Sequence, residues 1–185
     1  MKKATTKTGK RTLKQVVIDF MKAEDLKFRA EADVLFLSFG GKTLSYEAVF
    51  DTKEDKGIVL FYMFGPVKVP VNKRAIVSEF LTRANYGLQV GNFEMDLEDG
   101  EVRYKATLVA EGVVPKAATM KRMMYPAILT MNRYYPYVLE ICFGTATPKD
   151  AIAAAEAEVR EKSEQLRANQ LAPARSLRRG VRSER

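Results

Sequence analysis

The sequence predicts an α+β fold, an antiparallel sheet packed by helices in the order α-βββ-α-ββ-α, with one further helix behind. Three observations carry the prediction. Apolar residues recur at helical spacing in some stretches and alternate with period two in others. The strand-like stretches come in blocks joined by short turns, without the crossovers a parallel sheet needs. The 185 residues are 46% apolar, enough for one real core.

The elements follow in order. Leu13, Val16, Val17, Phe20, Met21 and Ala23 keep three-and-four spacing, which predicts an amphipathic helix from a Thr12 cap to about Leu26. Val34-Leu-Phe-Leu37, within Ala32–Phe39, is a nearly continuous apolar run that ends in Gly40-Gly41, the punctuation of a tight turn. Leu44, Tyr46, Ala48 and Phe50 then alternate with Thr43, Ser45, Glu47 and Val49, a strand with one buried face. Asp51–Gly57 reads as a turn, and the dense run Ile58–Phe64 as a central strand.

Pro66 and Pro70 interrupt the pattern, since proline cannot donate to a ladder. A second helix over Val71–Tyr86 is expected to bury Val71, Ala75, Ile76, Phe80, Leu81 and Ala84, with Gly87 as a left-handed cap. Leu88–Leu97 and Glu101–Val109 form a hairpin around Glu98-Asp99-Gly100. In its second arm Val102, Tyr104, Ala106 and Leu108 face one way, and Arg103, Lys105 and Thr107 the other. Pro115–Phe143 has helical spacing interrupted by Pro126 and Pro136, which predicts a kinked helix or two segments. Thr147-Pro148-Lys149-Asp150 combines an N-cap, a first-turn proline and a third-position acid, so a last helix starts there and reaches about Leu171. Its stripe of Ile152, Ala155, Val159 and Leu166 is thin enough either to dock or to project.

The formal charge of +8 is unevenly placed. Residues 1–15 hold six basic side chains and no acid, and 173–185 hold five arginines against Glu184. Taking these from the totals of 31 basic and 23 acidic residues leaves 20 and 22 between 16 and 172, a formal −2. The basic ends 1–12 and 173–185 are expected to be disordered tails able to touch RNA or acidic surfaces through screened attraction. The domain proper is expected over 13–143, and the Ala- and Glu-rich helix over 147–172.

The composition also excludes chemistry. With no histidine and one cysteine, the chain builds no Ser-His-Asp or Cys-His pair, no imidazole base, no mixed Cys/His zinc site and no internal disulfide. Glu94, Asp96, Glu98, Asp99 and Glu101 crowd one hairpin but lack the spacing of a calcium loop, and read as a solvated edge. Gly40-Gly41-Lys42-Thr43 lacks the earlier glycine of a phosphate loop and lies between strands. No enzyme activity, cofactor or metal is therefore expected. The longest unbroken apolar run, Ile58–Phe64, is far short of the ~20 residues of a membrane span. No apolar segment of a secretory signal follows Met1-Lys2-Lys3, and with the single Cys142 a reducing cytoplasm is expected.

The richest binding composition lies between Met120 and Tyr137, which hold four methionines and four tyrosines. Thioethers adapt to varied partners, and tyrosine offers area with a polar tip. Met120, Met123, Met124, Tyr125, Met131, Tyr134 and Tyr135 are candidates for an interaction surface, while the same spacing equally suits core under a sheet.

The order of elements and the stretch Leu81-Thr-Arg-Ala-Asn85-Tyr-Gly87-Leu-Gln-Val-Gly91-Asn92-Phe93-Glu-Met-Asp96-Leu-Glu-Asp-Gly100-Glu-Val-Arg-Tyr104 resemble the YbjN family of bacterial proteins. The most specific part is Asn85, Gly87, Gly91, Asn92 and Phe93, with Gly100 at the turn. The family is described as "putative sensory transduction regulators", with a fold similar to type III secretion chaperones. The resemblance, over roughly 13–143, implies that fold and a chaperone-like analogy. Residues and resemblance together predict a non-enzymatic cytoplasmic interaction module, a homodimer that holds a client protein. The alternative is an accessory RNA-binding protein that uses its tails.

Overall fold

Thr12 sits in extended backbone and its hydroxyl accepts the Gln15 N–H at 3.1 Å, which starts helix α1 (Leu13–Ala23). The helix buries Leu13, Val16, Val17, Phe20 and Met21, and leaves Ala23 exposed. It stops short of Leu26 because Asp25 turns left-handed, at φ 53°. The Glu54 carboxylate accepts the Lys14 N–H at 2.9 Å, and Arg11 pairs with Asp19. Arg11 and Thr12 are thus part of the fold, which corrects the expected tail boundary. The structure is a computed structural model that describes residues 11–40, 44–110 and 112–171, apart from the side chains of 158–163 and 166–171. Residues 1–10 and 172–185 of the expected tails, and Gly41, Lys42 and Thr43 of the expected turn, lie outside the described residues.

The sheet has six strands: β1 (Arg29–Glu31), β2 (Val34–Gly40), β3 (Ser45–Lys53), β4 (Ile58–Phe64), β5 (Asn92–Met95) and β6 (Val102–Val109). Their order is β1-β2-β3-β4-β6-β5, and every neighbouring pair is antiparallel. The first block therefore has four strands, not three. β1 is three residues long and wholly exposed, so it leaves no apolar signal to read. β3 runs on to Lys53, and a 3-10 turn at Glu54–Lys56 replaces most of the expected loop, closed by Gly57 at φ 63°. The expected strand from Leu88 is paired only over Asn92–Met95.

Helix α2 (Arg74–Tyr86) is preceded by a 3-10 turn at Val71–Lys73 and buries Val77, Phe80, Leu81 and Ala84. Val71 and Ala75 prove exposed, because the turn shifts the buried stripe onto Val77. Helix α3 (Ala117–Phe143) is one element that passes through both prolines. Pro126 and Pro136 both fall outside the buried stripe, so neither ring displaces a core side chain, and the carbonyls they orphan are those of Arg122 and Asn132. Helix α4 (Pro148–Leu171) opens as the sequence predicts, with Thr147 Oγ1 accepting the Asp150 N–H at 3.2 Å and donating to its carboxylate at 2.7 Å. Its first turns dock against α2 and α3 and bury Ala151 and Ala155.

The helices cover one face of the sheet. Tyr46, Phe50, Phe61, Tyr104 and Phe93 point to it, and ring contacts Phe20–Phe50, Tyr46–Tyr135 and Phe93–Tyr134 tie it to α1 and α3. The alternate side chains point to the other face.

Candidate interaction surface

The methionine- and tyrosine-rich side chains of α3 are mostly core. Met120, Met123, Met124, Met131, Tyr134 and Tyr135 are all buried. Tyr134 packs edge-on to Phe80 and Phe93. The Tyr135 hydroxyl donates to Val67 O at 2.6 Å and accepts the Val67 N–H at 3.1 Å, strapping the Pro66–Pro70 segment to α3. Six of the seven expected surface residues are therefore occupied inside the fold, because one stripe of α3 has to cover the sheet. Tyr125 alone of the seven is exposed, at 41%, and its hydroxyl donates to Glu24, which also binds Lys121. The outward stripe of α3 continues through Leu129, 64% exposed.

The larger surface is one that sequence reasoning missed. Register places the outward side chains in rows. One row reads Ser38, Glu47, Phe64, Arg103, Glu94. The next reads Phe36, Val49, Tyr62, Lys105, Asn92, and the third Val34, Asp51, Leu60, Thr107. β4 is the spine, with Ile58, Leu60, Tyr62 and Phe64 half-buried and covered by none of the described helices. The signal was present: Val34–Leu37 and Ile58–Phe64 are apolar without alternation, which fits a strand with an apolar residue on both faces.

Polar groups on this face mostly satisfy one another. Arg103 donates to Glu94 through Nε at 3.0 Å and Nη2 at 2.9 Å, and lies 4.5 Å from the Tyr62 ring centroid. Lys105 binds the other Glu94 oxygen. Ser38 donates to Glu47 at 2.9 Å, Lys53 pairs with Asp51, and Arg29 pairs with Glu31. Asp51 Oδ1 is buried and has no hydrogen-bond partner among the described residues. Partial burial pushes the Glu94 carboxyl up, but hydrogen bonds from Lys105 and Arg103 outweigh it and hold the group below its ordinary 4.5. A depressed carboxyl adds stability above its unfolded pKa and loses it as pH falls through the folded value. Thermal melts should therefore drop on acidification below about pH 4.5. The drop is expected to be smaller in Glu94→Gln.

The loop between α2 and β5 builds the motif Asn85, Gly87, Gly91, Asn92 and Phe93. Asn85 accepts the Phe93 N–H at 2.7 Å and donates to Phe93 O at 3.0 Å, and Asn92 Nδ2 also reaches Phe93 O. Asn85 thus pins the start of β5 to the end of α2. Asn85→Ala is expected to cost about 1–3 kcal/mol in chemical denaturation, because it strands the Phe93 N–H, whereas Phe93 O keeps the Asn92 amide. Gly87 is not left-handed: at φ −93° it continues the helical turn. The left-handed residue is Gly91, at φ 68°, where a Cβ would stand 2.4 Å from the Tyr104 hydroxyl.

Reactive groups elsewhere are quiet. Burial pushes Tyr46, Tyr104 and Tyr135 up to about 12, and raises the Cys142 thiol. Asp96 accepts the Glu98 N–H, and Asp99 accepts the Glu101 N–H and pairs with Lys68. Among the described residues no group of three or more acids or cysteines is placed to hold a metal. No described helix is long and apolar enough to cross a membrane. An open cavity of about 410 Å³ lies between the start of α1 and the β3–β4 turn, lined by Arg11, Leu13, Glu54, Lys56 and Val113. Its Glu54 carboxylate is the one that caps Lys14.

Among solved structures, the fold is similar to "YbjN, a putative transcription regulator from E. coli", with a TM-score of 0.53 at 12% identity over 66% of this chain and 90% of that one. A weaker likeness, TM-score 0.44 at 14% identity over 65% and 89%, is to the "HopA1-SchA Chaperone-Effector Complex". No curated protein matches the sequence. The sequence model of the YbjN family, described as "Putative bacterial sensory transduction regulator", matches residues 14–140. With that match spanning well over half its length, and with the antiparallel α+β fold in place, the chain belongs to the YbjN family.

Proposed function

We propose that this protein is a non-catalytic, cytoplasmic protein-binding module of the regulator or chaperone kind, and that it takes its protein partners on the open face of the sheet. The observation that carries this reading is the uncovered spine Ile58, Leu60, Tyr62 and Phe64 with Val34, Phe36 and Val49 beside it. Contiguous apolar surface rimmed by polar groups is the mark of a protein interaction site. The regulator description of the family agrees with it. The charges agree too, since Arg29, Lys53, Arg103 and Lys105 are each paired with an acid and leave no basic stripe among the described residues of this face. Tyr125 and Leu129 give α3 a second, narrower contact strip.

The test is co-purification from a native lysate with the full chain, with Tyr62→Glu, and with the chain cut back to residues 11–171. Partners that persist without the ends and disappear with Tyr62→Glu are expected. Partners lost only on removal of the ends would place recognition in the basic segments and overturn the reading.

A further inference from the structure

We infer that the open face is where two copies of this chain meet, about a two-fold axis that runs along β4. The inference rests on reading that face as a protein-binding surface, and it names the partner. β3 and β6 flank β4 on opposite sides, each one strand away. Rotation about β4 therefore lays β3 of one copy over β6 of the other, at unchanged height along the strands.

The register fixes what then meets. Phe64 pairs with Glu47 on one side and Arg103 on the other. The axis sets the Glu47 carboxylate of each copy opposite the partner's Arg103, so the contact occurs twice. Leu60 pairs with Asp51 on one side and Thr107 on the other. Asp51, whose other oxygen is held by Lys53 of its own strand, then stands in the row opposite the partner's Thr107. Along the axis Ile58, Leu60, Tyr62 and Phe64 stack on their own mates. Between these rows Val49 meets the partner's Lys105, whose ammonium is held back by Glu94.

With Lys53 neutralising Asp51 on β3 and Glu94 shared by Arg103 and Lys105, the apolar spine is flanked by a net acid on one side and a net base on the other, which is complementary to itself under this rotation. A uniformly acidic or basic partner would meet like charge on one side, which is the costly arrangement. Two sheets facing one another about 10 Å apart with nearly aligned strands is also a common packing.

Sedimentation velocity on the full chain is the test. The unmodified protein is expected to be a dimer. Glu47→Arg and Arg103→Glu should each weaken it by about tenfold or more, because each sets like charges opposite one another twice. An equimolar mixture of these two variants should recover the dimer, since both contacts of the mixed pair are again opposite in sign. In a Cys142→Ser background, a bismaleimide with a spacer of about 8–10 Å, matched to the spacing of facing sheets, should crosslink Leu60→Cys to its mate and should not crosslink Leu129→Cys. Circular dichroism checks that each variant is folded; if Arg103→Glu is not, Thr107→Glu, set against the partner's Asp51, replaces it.

A monomeric native chain, a dimer undiminished in both charge variants, or a mixture no tighter than its components would each overturn the two-fold pairing. A monomer that still loses its lysate partners with Tyr62→Glu would overturn the pairing and leave the binding face standing. Failure of both would remove the face itself.

Discussion

Tyr135→Ala is expected to lower the free energy of unfolding by about 3–5 kcal/mol, the range for emptying a large aromatic site in a close-packed core. The ring is fully buried, packs edge-on to Tyr46 and carries the hydroxyl that binds both backbone groups of Val67. Deletion would open a cavity and also release the Pro66–Pro70 segment. Tyr125→Ala, ten residues earlier on the same helix but on its exposed side, should cost only about 0.5 kcal/mol. Urea denaturation of the pair separates core from surface within one composition. Equal and small costs would mean that Tyr135 is not packed as described.

The second large effect is expected at Gly100. Its φ of 82° is left-handed, and a Cβ there would lie 2.2 Å from Val69 O and 2.9 Å from Val69 N. Both are backbone atoms, and Val69 N–H donates to Gly100 O at 2.8 Å, so neither can step aside without losing that bond. Gly100→Ala should cost about 2–5 kcal/mol from backbone strain and overpacking together. Alanine at Gly40, where no described residue lies within 4 Å and φ is not left-handed, should be nearly neutral. A calorimetric melt of both variants checks the contrast; equal stability in Gly100→Ala would refute the packing of the hairpin turn against Val69.

What the sequence disclosed depended on how much each feature rests on local pattern. The hairpin around Gly100, the Thr12 and Thr147 caps and the buried alternation of β3 and β6 are set by neighbouring residues, and they read correctly. β1 did not, because three exposed residues held by backbone bonding to β2 carry no apolar period. Gly87 misled because the end of a helix takes a left-handed residue only where the chain must reverse there, and here the reversal waits for Gly91.

For the candidate surface the difficulty was different. Composition marked the methionines and tyrosines of α3 as adaptable, but adaptability serves a core as well as a contact. Only the sheet beneath them settles which. The open face was legible in kind, since Ile58–Phe64 lacks alternation. Which outward residues stand side by side was not, because β6 joins β4 across an intervening helix and strand.

The late position of α3 has a consequence for synthesis. The helix that covers the inner aromatic rings ends at Phe143, whereas β4 is complete at Phe64. At roughly 5–20 residues per second, a ribosome takes about 4–16 s to translate the stretch between. For that interval α1 can already cover Phe50, but Tyr46, whose ring waits for Tyr135 of α3, is as bare on one side as Tyr62 and Phe64 are on the other, so newborn chains crowded on one message are where this sheet is most prone to pair wrongly.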